Sequence, residues 1–175
     1  MNDLTAHGTR RYLKAAAVRH LTVPILRTLF DNFCEYVQKV GPDSLLSVCI
    51  YEYFPHQKIN SVPEGATAFN NRGEWGNITI SPNWGANRTD LDAYAREWVH
   101  SLVDKLTIAE KEDPLLKEGE EVVVKKGYWN GSMGDEKSSL VFGNNYGRLR
   151  ILKRKYDPDC VFKKWYPITP AEEYN

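Results

Sequence analysis

Between residues 22 and 40, apolar side chains return every three or four positions: Leu26, Leu29, Phe30, Phe33, Cys34 and Val37. That spacing predicts an amphipathic helix, and Gly41-Pro42 supplies its stop. Residues 45–54, LLSVCIYEYF, are rich in β-branched and aromatic side chains and end at Pro55, which reads as a strand. ATAF, 66–69, opens a second candidate strand. In NITISPNW, 77–84, Ile78 and Ile80 alternate with Asn77, Thr79 and Ser81, so one face is apolar and the other polar, as in a half-buried antiparallel strand. The polar face either lines a pocket or meets water. Thr89 or Asp90 can cap the next helix, and Asp92 places a negative charge in its first turn. Leu91, Tyr94, Ala95, Trp98, Leu102 and Leu106 mark its buried stripe. EKEDPLLKEGEE, 110–121, reads as a solvated connector, and VVVKKGYWN, 122–130, begins as a strand. Residues 138–155 are helical in their second half at least, and the tail from Trp165, with two prolines, should run extended over the surface.

The order is therefore helix, three strands, helix, strand, helix. Strands and helices do not alternate one for one, so a doubly wound parallel sheet is not expected. The pattern fits an α+β fold, an antiparallel sheet with helices packed on one face. No internal repeat, low-complexity tract or long linker divides the chain. We expect one domain over 1–175, with the sheet and helices in 1–125 and a C-terminal segment at 126–170.

Composition narrows the classes. At 175 residues the chain can bury a real core. Its formal charge is zero, which argues against a general polyanion binder, and no nucleic-acid partner is expected. No stretch of eighteen apolar residues occurs, so no membrane span is expected, and MNDLTAHGTRRYLK lacks the apolar core of a signal peptide. Cys34, Cys49 and Cys160 form no CxxC and read as buried thiols. His7, His20, His56 and His100 are scattered, so no metal is expected. Five Trp and ten Tyr suit a core, an interface or a pocket wall.

No GxGxxG, GxxxxGK[ST] or GxSxG occurs. RLRILKRK, 148–155, could suit nucleic acid, but it reads better as a solvated helix face with Leu149, Ile151 and Leu152 turned to a core. In FGNNYGRL, 142–149, the asparagines either cap the helix or point at a ligand near its start. GYWNGS, 127–132, is a Tyr-x-Asn turning through Asn-Gly. A tyrosine there could exchange a proton with a substrate if a positive charge or hydrogen bonds lowered its ordinary pKa of about 10.

Taken in order, these pieces resemble the C-terminal region of the berberine-bridge-enzyme-like FAD-linked oxidases of the vanillyl-alcohol-oxidase superfamily, fungal type. The motif residues are Tyr128 and Asn130; then Gly143, Asn145, Arg148 and Leu149; then Lys153, Tyr156, Asp157, Pro158 and Phe162. TAFNNR, 67–72, resembles the family's Phe-x-x-Arg element. The likeness runs over about 10–170 and makes 126–170 the berberine-like segment. It implies FAD as cofactor and a small organic substrate, with hydride passing to flavin and electrons onward to dioxygen. It implies Tyr128 as catalytic base, Asn130 and Asn145 at the cofactor, and Thr79 and Ser81 on the substrate face. The family's FAD-binding domain has no counterpart in these residues. The chain is therefore expected to need that domain in cis or in trans, and to be inactive without it. The alternative is a non-catalytic interaction module that keeps the fold, with an exposed apolar surface favouring self-association. The family is often secreted, but these residues fix no compartment.

Overall fold

The computed structural model describes residues 8–124 and 127–172. They fall into two compact units, residues 8–54 with 75–132 and residues 55–74 with 133–172.

The first unit is an antiparallel sheet under two helices. Strands β2 (Lys14–Val18), β4 (Gly76–Ser81) and β3 (Val48–Glu52) lie in the order β2-β4-β3. Ala15 and Ile50 both stand opposite Thr79. The short strands β1 (Thr9–Arg11) and β5 (Asn83–Gly85) extend the β2–β4 ladder beyond Pro82. Pro82 has no N–H to give, but its carbonyl still accepts from Tyr12 N–H at 3.3 Å.

Helices α1 (Val23–Val40) and α3 (Asp92–Lys111) cover one face of this sheet. Ile25, Leu29 and Tyr36 of α1 and Val99, Leu102 and Leu106 of α3 meet Ala16, Val18, Ile78 and Ile80. Burying each large aliphatic side chain contributes roughly 1.5–3 kcal/mol. Pro24 sits in the first turn of α1, where no N–H is missed, and Gly41 ends it at φ +74°.

The packed stripe of α1 is not the one its periodicity suggests. Ile25, Leu29, Asn32, Tyr36 and Val40 are buried, while Leu26 and Phe30 are exposed. Buried Asn32 fits because its Nδ2 donates to Thr28 O (2.7 Å), its Oδ1 accepts from Lys105, and its carbonyl accepts from Trp98 Nε1 at 3.1 Å. The α3 stripe is as expected, with Tyr94 only partly buried. Neither Thr89 nor Asp90 caps α3 with its side chain; residues 89–91 form a 3-10 turn instead. Asp92 accepts from Arg10 and from Trp84 Nε1 (2.9 Å), and the Arg10 guanidinium holds its carboxyl below the usual range.

Four further expectations fail. Residues 66–69 are not a strand, and among the described residues of 122–130 none is. Strand β2, by contrast, is missing from the sequence reading; its KAAAV is buried on both faces, so it shows no alternation. The stretch 110–121 is not simply solvated, because Glu110 and Asp113 are buried. The thiols of Cys34, Cys49 and Cys160 are unpaired and only partly buried.

The second unit contains α2 (Gln57–Asn60), a 3-10 turn at Glu64–Ala66, α4 (Ser138–Phe142) and α5 (Tyr146–Tyr156). No residue of α5 is buried; Ile151 and Leu152 are exposed, contrary to the expected core-facing stripe. The tail from Trp165 has no helix or strand up to Glu172. Across the described residues, no helix is long and apolar enough to cross a membrane.

Candidate functional site

The face of the sheet away from the helices carries Asn77, Thr79 and Ser81 on β4, between Ala15 and Ala17 of β2 and Ile50 and Glu52 of β3. The described residues of 122–132 cross this face. Val123 packs with Ala17 and Trp75. At Gly127 a Cβ would fall 2.5 Å from the Ala15 carbonyl carbon, so only glycine lets the chain lie this close. At Gly131 a Cβ would sit 3.6 Å from Thr79 Oγ1. Ser132 Oγ, buried, accepts the Ala15 N–H at 3.0 Å and fixes the segment to the strand.

The upstream anchor is Glu110, whose side chain ends a helix but is 1% exposed. Its Oε1 accepts the Arg19 N–H (2.8 Å) and its Oε2 the Val123 N–H (2.7 Å). One carboxylate thus ties the end of β2 to the start of the crossing segment. Asp113 repeats the device, with His20 Nδ1 at 2.8 Å and the Leu115 N–H at 2.9 Å. Sequence reasoning missed Glu110 and Ser132. A carboxylate within a charged run and one serine among many leave no local signal.

Between these anchors, Tyr128 is half-exposed just before a 3-10 turn at Trp129–Gly131, and Asn130 is exposed in the middle of that turn. The turn closes through the Gly131 N–H to the Tyr128 carbonyl at 2.8 Å. Thr79 is partly buried beside Gly131. Ser81 is buried and its Oγ accepts from Asn83 Nδ2 at 3.4 Å. Asn83 also donates to Leu46 O, and its own carbonyl accepts from Tyr36 Oη at 3.1 Å. Burial raises the pKa of that tyrosine above its ordinary value. The buried Oδ1 of Asn77 has no hydrogen-bond partner.

Asn145 lies in the second unit. It does not cap α5; its Nδ2 donates to the Glu64 carbonyl at 3.0 Å. Arg148 Nη1 reaches the next carbonyl, Gly65 O, at 3.2 Å. Gly143 has φ +49°, and a Cβ there would meet Asn70 Nδ2 at 2.5 Å. The Gly-x-Asn-x-x-Arg motif is therefore a latch on the 64–66 turn. Asn145 and Arg148 line a small cavity of about 100 Å³ with Ala66, Thr67 and Ala68. Arg72 closes the same loop from the other side, donating to Ile59 O (2.8 Å) and Thr67 Oγ1 (3.0 Å) and lying over the Phe69 ring.

The basic run is likewise used internally. Arg150 donates to Thr169 O and Pro170 O, and Lys153 to Phe162 O and Asp157. Asp157 also accepts the Val161 N–H at 2.8 Å and the Phe162 N–H at 3.1 Å. Its carboxyl is held below the usual range, first by Lys153.

Comparison with known proteins shows what this segment is similar to. Residues 127–168 match the family "Berberine and berberine like". This stretch is similar to a berberine-like segment. Its first six residues are the crossing strip of the first unit, and the rest lies in the second. Over 96% of its length the chain is 33% identical to the FAD-linked oxidoreductase pgmH of Aspergillus terreus, of which it covers 35%. Among solved structures it resembles a BBE-like protein of Arabidopsis thaliana, with TM-score 0.63 and 18% identity over 94% of this chain and 34% of that one. It also resembles a glycopeptide hexose oxidase complexed with teicoplanin, with TM-score 0.67 and 21% identity over 93% of this chain and 33% of the other. The α+β fold is shared, and the relatives are FAD-linked. The chain spans about a third of the length of the curated relatives it matches.

Proposed function

We propose that this chain is the substrate-side part of a FAD-linked oxidase that oxidises a small organic molecule, and that it needs a separate FAD-binding domain, in cis or in trans. The supporting observation is the strip 127–132. Gly127 and Gly131 lay it against the polar side of the sheet, with Gly131 beside Thr79 and with Tyr128 and Asn130 exposed.

The residues suit one edge of a flavin rather than a whole FAD. Asn77 Oδ1 is a buried acceptor with no hydrogen-bond partner on the same face, and Asn130 offers both a donor and an acceptor. The sequence has no glycine-rich phosphate cradle, so the pyrophosphate must be held elsewhere. When bound, FAD supplies the hydride acceptor and the route of electrons to dioxygen. Tyr128 takes the substrate's proton. Thr79 and Ser81 belong to the substrate face, Thr79 as the nearer and Ser81 within the Asn83 knot. Asn130 holds the flavin edge, and Asn145, in the second unit, braces the Glu64 turn.

The test combines the chain with a flavin-binding partner polypeptide and follows flavin reduction and peroxide release. Tyr128→Phe should lower kcat on the order of 100-fold with little change in flavin absorbance. Stoichiometric FAD retained by the chain alone would overturn the requirement for a partner. Unchanged kcat in Tyr128→Phe would remove Tyr128 from the chemistry.

A further inference from the structure

The strip 127–132 covers one side of its face of the sheet and leaves the other side open. A Cβ at Gly127 would strike the Ala15 backbone, one at Gly131 would sit 3.7 Å from the Ala15 Cβ, and Ser132 bonds to the Ala15 N–H. The strip therefore rides on β2 and the near side of β4. On the far side, β3 presents Ile50, 46% exposed, opposite Thr79, and Glu52, also exposed, opposite Asn77. Cross-strand partners share a face, and residues two apart on one strand stand about 7 Å apart. An apolar and an anionic position thus lie side by side, next to the acceptor assigned above to the flavin edge. Of the β2, β4 and β3 residues on this face, Glu52 is the charged one. It enters none of the described ion pairs. Arg19, just beyond β2, lies over the Trp75 ring at 5.7 Å and donates to the Glu121 carbonyl at 3.0 Å.

We propose that Ile50 and Glu52 set the substrate class. The substrate lays an apolar body over Ile50 and directs a hydrogen-bond donor, an ammonium or a hydroxyl, at Glu52. This rests on the functional reading above. An ionised carboxylate only accepts hydrogen bonds. A molecule that docks on Glu52 and strips its water must therefore return donors to it. A hydroxyl does so, and an ammonium does so with a charge-assisted bond. A substrate carboxylate or phosphate would instead meet a like charge, with no cation among the described strand residues of this face to offset it. Ile50 offers exposed apolar surface and no polar group, so the part of the substrate above it gains by being apolar.

The test titrates the isotope-labelled chain with three probes that share one phenyl ring: phenethylamine, phenethyl alcohol and phenylacetate. Expected are amide shifts at Ile50, Glu52 and Thr79, with phenylacetate weaker than the better donor probe on the order of ten-fold. Whether the amine or the alcohol binds more tightly names the donor. Glu52→Gln should erase most of the gap to phenylacetate, and Glu52→Lys should reverse the order. The thermal midpoint should not move, because the side chain is exposed. Ile50→Ser should weaken all three probes alike. Equal affinities in the unaltered chain, no shifts at these amides, or a preference that survives Glu52→Gln overturns the proposal. The measurement needs no flavin, so it separates from the oxidase reading. Flavin reduction with the partner polypeptide, in a chain without the preference, leaves the oxidase reading standing alone. A preference set by Glu52, in a complex that never reduces flavin, supports the selecting face and overturns the oxidase reading.

Discussion

The two units reach order by different means. The first buries Ile25, Leu29, Val99, Leu102 and Leu106 against a sheet, the ordinary hydrophobic route. In the second, among the described residues, Val141 is the one buried apolar side chain, and Asn71 and Asn145 are the buried polar ones. Its loops are held by side chains that reach backbone carbonyls: Arg72, Asn145, Arg148 and Arg150. A core tolerates exchange among apolar residues of similar volume. A latch does not, because each donor has one length and one direction. The Gly-x-Asn-x-x-Arg motif therefore falls in the unit with the lesser core, where residue identity rather than hydrophobicity carries the structure.

The sharpest way to break this contrast is Leu102→Ala. It should cost about 2–5 kcal/mol in denaturant unfolding, as large-to-small changes in packed cores do. Next comes Glu110→Gln, at roughly 2–3 kcal/mol. The amide keeps one acceptor, but its NH2 must face either the Arg19 or the Val123 N–H, so Gln should be nearly as harmful as Ala. Asn145→Ala should cost roughly 1 kcal/mol and show mainly as faster amide exchange around 64–66. A loss equal to that of Leu102→Ala would erase the distinction between core and latch.

The smallest effect is in pH. Asp157 titrates below its ordinary value in the folded chain. Its contribution is therefore complete above about pH 4 and drains away as pH falls through the lower folded value. Protection of Val161 and Phe162 amides should fall in that acid range, and Asp157→Asn should flatten the dependence.

Legibility in the sequence follows the same division. Helices α1 and α3, strand β4 and the stop at Asp157-Pro158 were readable because periodicity and breakers are local signals. Strand β2 was not: three alanines buried on both faces show neither alternation nor β-propensity. The α1 stripe was half legible, since Phe30 repeats as a core residue would yet is exposed. Tyr128 and Asn130 were singled out through motif resemblance. The carboxylate that aims their segment could not, because Glu110 meets its partners at Arg19 and Val123, both distant in sequence.

That carboxylate also has a practical consequence. With Arg19 and Val123 tied to one side chain, residues 114–121 form a loop whose ends are fixed independently of its length. Its tip at Glu118-Gly119, where Gly119 turns at φ +83°, is a natural place to splice in an epitope tag or a fluorescent reporter. Doubling such a loop adds only about 0.6 kcal/mol of closure entropy, so a label could be carried there without disturbing the strip that bears Tyr128.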